Sequence, residues 1–202
     1  MNNMTLTRST IRQLGLAFIL LSGLAVGLPG YAADWDIDQL MNALAQTRSG
    51  HARFVEKKFM AILEQPVESS GELFYTAPDR FEKRTFKPKP ETMVITGDHL
   101  QIERGRQTIQ LQLQEYPELA AFIDSIRGTL AGDRKALERS YQLGVEGSAK
   151  SWTLKLVPVN SKMKKVISHI RMTGAHDELR SIDITQVDGD SSRMVIEKVA
   201  AP

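Results

Sequence analysis

The sequence predicts a mainly β protein with helices (α+β), built as an unclosed antiparallel β-barrel with one N-terminal helix and a helical insertion. Three observations predict it. A single amphipathic pattern opens the chain after residue 33, and about six short strand-like runs broken by turn signals follow. A helical stretch at 116–140 then separates these from four or five more runs. Side chains alone can fill a narrow barrel, so helices laid against the concave side of such a sheet point to a wide or unclosed one.

The first element is preceded by an export signal. Residues 1–33 contain Arg8 and Arg12, no acidic residue, and an apolar run from Leu14 to Leu28. Pro29-Gly30 and then Ala32 and Ala33 follow, as a signal peptidase requires. The run is about fifteen residues, whereas a membrane span needs roughly twenty. The expected organisation is therefore a cleaved secretory signal at 1–33 and one domain at 34–202. The signal holds two of the 26 basic residues and none of the 24 acidic ones, so the remainder is balanced in charge. That balance gives no ground for nucleic acid or an anionic membrane as a partner. With no cysteine there is neither a disulfide nor a site for lipid attachment, and a free, monomeric periplasmic protein held by its core is expected.

Asp36 begins the N-terminal helix, with Gln39 placed to complete a capping box. Ile37, Leu40, Met41 and Leu44 form its apolar stripe. From His51 the texture is short runs separated by Gly71, Ala77-Pro78-Asp79, Pro88 and Pro90, Gly97-Asp98 and Arg104-Gly105-Arg106. Alternation in Gln110-Leu111-Gln112-Leu113-Gln114 and in Trp152-Thr153-Leu154-Lys155-Leu156 places the leucines and the tryptophan on one sheet face. In the insertion, Pro117 suits a first helical position. Leu119, Phe122, Ile123, Ile126 and Leu130 share one face, and Gly132-Asp133 stops this helix and caps a second. After Gly147-Ser148, strands are expected at 151–157, 165–172, 179–187 and 193–199.

Catalytic and metal chemistry find no foothold. His51, His99, His169 and His176 lack metal-ligand spacing, and His176-Asp177-Glu178 follows Thr173-Gly174-Ala175 as turn decoration. There is no G-x-S-x-G and no glycine-rich phosphate loop, so no enzyme, cofactor or metal is expected. The basic runs Lys57-Lys58, Lys83-Arg84 and Lys162-Lys164-Lys165 fit solvated strand edges or loops, or docking to an acidic surface of a partner.

Residues 51–100 resemble the LolA/LolB-type outer-membrane lipoprotein carriers. The resemblance lies in His51-Ala52-Arg53-Phe54-Val55-Glu56-Lys57, Gly71-Glu72-Leu73-Phe74-Tyr75 with Pro78, Phe81, Pro88, and Ile95-Thr96-Gly97-Asp98-His99-Leu100. It implies a soluble carrier whose apolar concavity takes lipoprotein acyl chains or a similar amphiphile toward the outer membrane. The implied partners are that cargo, an inner-membrane transporter and an outer-membrane acceptor. On this likeness Leu73, Tyr75, Leu111, Leu113, Trp152, Leu154 and Leu156 line the cavity, and Leu119, Phe122, Ile123, Ile126 and Leu130 form a movable lid. The other use of the same fold is a sensor or scaffold module of an envelope stress or lipid-modification system. Without the family, the reading to prefer is that the helices plug the sheet permanently as ordinary core. Ala77 stands where the carriers place an arginine before the proline, so their lid latch is missing or moved. The chain also stops shortly after Met194–Val199, without the extra C-terminal segment of some carriers.

Overall fold

A computed structural model describes residues 35–200, and the expected signal lies outside them. Helix α1 (Ile37–Leu44) starts as its sequence requires. The Asp36 side chain accepts from the Gln39 backbone amide at 2.8 Å and the Gln39 side chain accepts from the Asp36 amide at 3.2 Å. This closes the capping box and satisfies two amides that a helix start leaves without partners.

Six strands follow: β1 (Ser49–Phe59), β2 (Val67–Thr76), β3 (Arg80–Lys87), β4 (Glu91–Thr96), β5 (His99–Arg104) and β6 (Gln107–Gln112). Then come α2 (Pro117–Leu130) and α3 (Arg134–Glu138), and five further strands: β7 (Tyr141–Ser148), β8 (Ser151–Pro158), β9 (Ile167–Ala175), β10 (Glu178–Gln186) and β11 (Ser191–Lys198). All eleven belong to one antiparallel sheet in the order β6-β5-β4-β3-β2-β1-β11-β10-β9-β8-β7. The end strands β6 and β7 do not pair, so the barrel is unclosed as expected. Every pairing joins sequence neighbours except one: β1 lies against β11, from Ala52↔Lys198 to Phe59↔Ser191.

Two details differ from the sequence reading. Strand β7 was not placed, because Gly144 and Gly147 interrupt its Tyr141, Leu143, Val145 alternation and it lies at the sheet edge. Leu113 leaves the strand. β6 ends at Gln112 and residues 113–115 form a 3₁₀ turn, with the Leu113 amide donating to Asp98 O at 2.9 Å while its side chain stays buried.

Helices α1 and α3 and part of α2 close one side of the concave face. Leu40, Met41, Leu44 and Leu137 pack there on Trp152, Leu154, Leu156, Ile170 and Met172. The start of α2 closes the other side, where Ile123 meets Ile95, Leu100 and Leu113, with Leu111 and Leu119 around them. Arg134 of α3 reaches Asp38 of α1 at 2.8 Å and fixes the helices to one another. Gly132, between α2 and α3, has φ +64, and a Cβ there would stand 2.1 Å from Met41 O. Both the left-handed backbone and the close approach of α1 therefore demand glycine.

Candidate functional site

Between the two packed flanks, the concave face of β1, β2, β3, β10 and β11 borders a space that α2 overhangs. The result is a cavity of about 910 Å³, at the upper end of the roughly 300–1,000 Å³ of small-molecule sites. Register explains its wall. Directly opposed residues in antiparallel strands share a face, so Tyr75 beside Phe81 and Leu73 beside Lys83 turn inward together, as do Met194 and Ile182. The roof comes from α2, through Phe122, Ile123, Ile126 and Leu130.

Of the residues singled out from sequence, Leu73, Tyr75, Phe122, Ile123, Ile126 and Leu130 border this cavity. The others lie elsewhere. Trp152, Leu154 and Leu156 point to the concave side but lie 0–1% exposed beneath α1 and α3, while Leu111, Leu113 and Leu119 belong to the second packed flank. Alternation reports which face a residue takes, but not whether a helix covers it. The sequence reading missed Phe81, Met93, Ile182, Ile184, Met194 and Ile196, all of which border the space. Their inward period was visible, but the extent of helix cover was not.

The wall also contains charge. Glu56, 6% exposed, receives Lys83 Nζ at 2.6 Å, Ser69 Oγ at 3.5 Å and Lys58 Nζ at 3.9 Å. Lys83 Nζ in addition stands 4.7 Å from the centroid of the Phe54 ring, a favourable cation–π distance. The basic runs therefore need correction. Lys57-Lys58 and Lys83-Arg84 are on β1 and β3, interior strands of the sheet, and Lys83 turns into the cavity. Tyr75 places its ring on the wall with its hydroxyl buried and, among the described residues, without a partner. Burial raises its pKa, with Arg48 opposing and Asp79 reinforcing the shift.

Polar bonds fasten the roof helix. Arg127 donates through Nη1 to Gly97 O in the β4–β5 turn at 2.5 Å, and Nη2 pairs with Asp124. Tyr141 Oη donates to Ala121 O at 3.2 Å. The Tyr141 phenol is pushed up to about 12, chiefly by burial, and stays protonated as a donor. With Ala77 before Pro78, the ties between roof and sheet are Arg127, from the roof itself, and Tyr141, from β7. Among the described residues no cluster of His, Cys, Asp or Glu could hold a metal ion, and no helix is long and apolar enough to cross a membrane.

The sequence matches the family described as outer membrane lipoprotein carrier protein LolA-like over residues 30–201. The chain belongs to that family. No curated protein matches this LolA-like chain in sequence. Among solved structures it is similar to a LolA superfamily protein from Nitrosomonas europaea, at 10% identity and a TM-score of 0.40, covering 82% of this chain and 94% of that one. It is similar to the MucA/MucB complex structure from Pseudomonas aeruginosa at 14% identity and a TM-score of 0.48, covering 83% of this chain but 58% of the other. The lipoprotein LppX from Mycobacterium tuberculosis aligns at 13% identity and a TM-score of 0.44, covering 80% and 91%.

Proposed function

We propose that this LolA-like chain is a soluble periplasmic carrier that holds lipoprotein acyl chains, or a similar amphiphile, and transfers them toward the outer membrane. The observation that supports this reading is the apolar-walled cavity of about 910 Å³ over the central strands. Each methylene moved from water into such a space gains about 0.8 kcal/mol, so a sixteen-carbon chain gains on the order of 13 kcal/mol. A chain of that kind has no route through water unaided, which is the task such a cavity meets. In this reading the acyl chain lies against Leu73 and Tyr75 below and Phe122, Ile123, Ile126 and Leu130 above. Loading comes from an inner-membrane transporter and delivery goes to an outer-membrane acceptor.

Natural cargo provides the test. Protein isolated from cell envelopes without detergent, extracted with organic solvent and analysed by mass spectrometry, is expected to yield one amphiphile per chain. Repeated recovery of empty protein that co-purifies with a regulatory protein would overturn the carrier reading in favour of a sensor.

A further inference from the structure

One end of the sheet gathers five loops whose exposed side chains are apolar at the centre and basic on the flanks. In sheet order they are the β5–β6 turn, the β3–β4 turn, the β1–β2 loop, the β10–β11 turn and the β8–β9 connection. Bonds between loops make them one rim. The Ala61 amide donates to Asp190 Oδ1 at 2.8 Å, joining the β1–β2 loop to the β10–β11 turn, and the Val187 amide donates to Val166 O at 3.0 Å, joining that turn to the β8–β9 connection.

The centre of the rim is apolar. Phe59, Ile62 and Leu63 on the β1–β2 loop, Phe86 beside it, and Val166 and Val187 beyond are all exposed, Ile62 at 90%. The flanks are basic: Lys87, Lys89 and Arg106 lie on one side, and Lys162, Lys164 and Lys165 on the other. None of these six takes part in an ion pair among the described residues, whereas Lys57 of β1 and Arg104 of β5, on the strands that lead into these loops, are paired with Glu68 and Glu91. Of the remaining acids on the rim, Asp190 is engaged by Ala61, leaving Glu64 and Asp188. The surplus is positive although the chain after residue 33 is balanced in charge. Large apolar side chains held in water flanked by cations suit one partner chemistry, the anionic surface of a phospholipid bilayer. The chains enter the headgroup boundary while lysines meet phosphates. The rim is also a border of the cavity, since Lys58, Phe59, Met60 and Val166 line both.

We propose that this rim docks the protein on anionic phospholipid bilayers, with Ile62 and Leu63 entering the headgroup region and the cavity opening toward the membrane. Docking does not depend on which cargo the cavity holds, and it is tested without cargo. Purified protein is floated with vesicles of phosphatidylcholine containing phosphatidylglycerol, or of phosphatidylcholine alone. Binding is expected with the anionic vesicles only, weakening as salt rises. Lys87→Gln/Lys89→Gln is expected to weaken it roughly thirty-fold, from about 1 kcal/mol for each surface lysine. Ile62→Ser/Leu63→Ser is expected to weaken it at least about ten-fold. Arg180→Gln on β10, outside the rim loops, leaves it unchanged. All variants share the parent's N-terminus, so a difference between them belongs to the rim. No vesicle binding, equal binding to both vesicle types, rim variants that bind like the parent, or capture by an acidic protein while vesicles are ignored would each overturn the proposal.

Discussion

Truncating Phe122 separates a movable roof from a permanent plug. Phe122 is half-buried and touches both packed flanks, yet its side chain also borders the cavity. Replacing it with alanine enlarges an existing space instead of creating a sealed void. The cavity penalty that takes a core Phe→Ala change to roughly 3–5 kcal/mol is then largely missing. What remains is a fraction of the transfer energy of a half-buried ring, about 1–2 kcal/mol. Leu113, 1% exposed beside Ile95, Leu100 and Ile123 and outside the cavity lining, is the internal control. Leu113→Ala should cost roughly 2–5 kcal/mol. At this size each kcal/mol lowers Tm by about 2–4 °C, so the two variants are resolvable by calorimetry. In titrations with a fluorescent fatty acid, Phe122→Ala should bind several-fold more weakly than the parent, because the ring it lacks would cover the chain. A loss of stability equal to that of Leu113→Ala, together with unchanged affinity, would show that α2 is ordinary core and refute the reasoning.

Three other outcomes follow from named contacts. Lys83→Met leaves Glu56 buried with only Ser69 and a distant Lys58, and should cost about 3 kcal/mol in urea unfolding. Adding Glu56→Leu should recover most of that, since a buried pair replaced as a unit is near neutral; a double variant no better than the single would contradict this. Arg127→Met removes the charged bond to Gly97 O, worth about 1.5–3 kcal/mol, and should speed release of a bound fluorescent lipid at least about ten-fold in stopped flow while leaving the sheet intact. Burial alone would raise the Glu82 pKa, but hydrogen bonds from Arg80 and Arg84 outweigh it and hold the folded-state carboxyl below its ordinary value. Its stabilisation is therefore full above the unfolded value near about 4.3, shrinks below that, and is gone once pH falls through the lower folded value. The stability gap between the parent and Glu82→Gln, measured by denaturant unfolding, should close across that acid range; a gap constant with pH would contradict the assignment.

Local signals were read well from sequence because their physics is local. The Asp36–Gln39 box and the stripe on α2 involve residues within a few positions of each other, and the inward period of β8 follows from pleating alone. Features that depend on assembly were not legible. Glu56 and Lys83 are 27 positions apart and look like surface charges until β2 brings β1 and β3 to either side of it. Lys89, Arg106 and Lys164 belong to three separate connections, and only the strand order places those connections along one rim. The same limit explains Trp152. Its inward direction was readable, whereas its cover by α1 and α3 depends on where helices from two distant segments come to rest.

The single long-range pairing of the sheet bears on how the molecule forms. Each other ladder joins strands adjacent in sequence, so hairpins can zip up rapidly and independently on both sides of α2. The ladder from Ala52↔Lys198 to Phe59↔Ser191 must instead wait until nearly the whole chain is present and pay the closure entropy of the segment between. That late ladder is also the floor of the cavity, where β1 and β11 meet. The floor of the cavity is therefore expected to close late in folding, and a chain interrupted before β11 would have its hairpins but no complete floor.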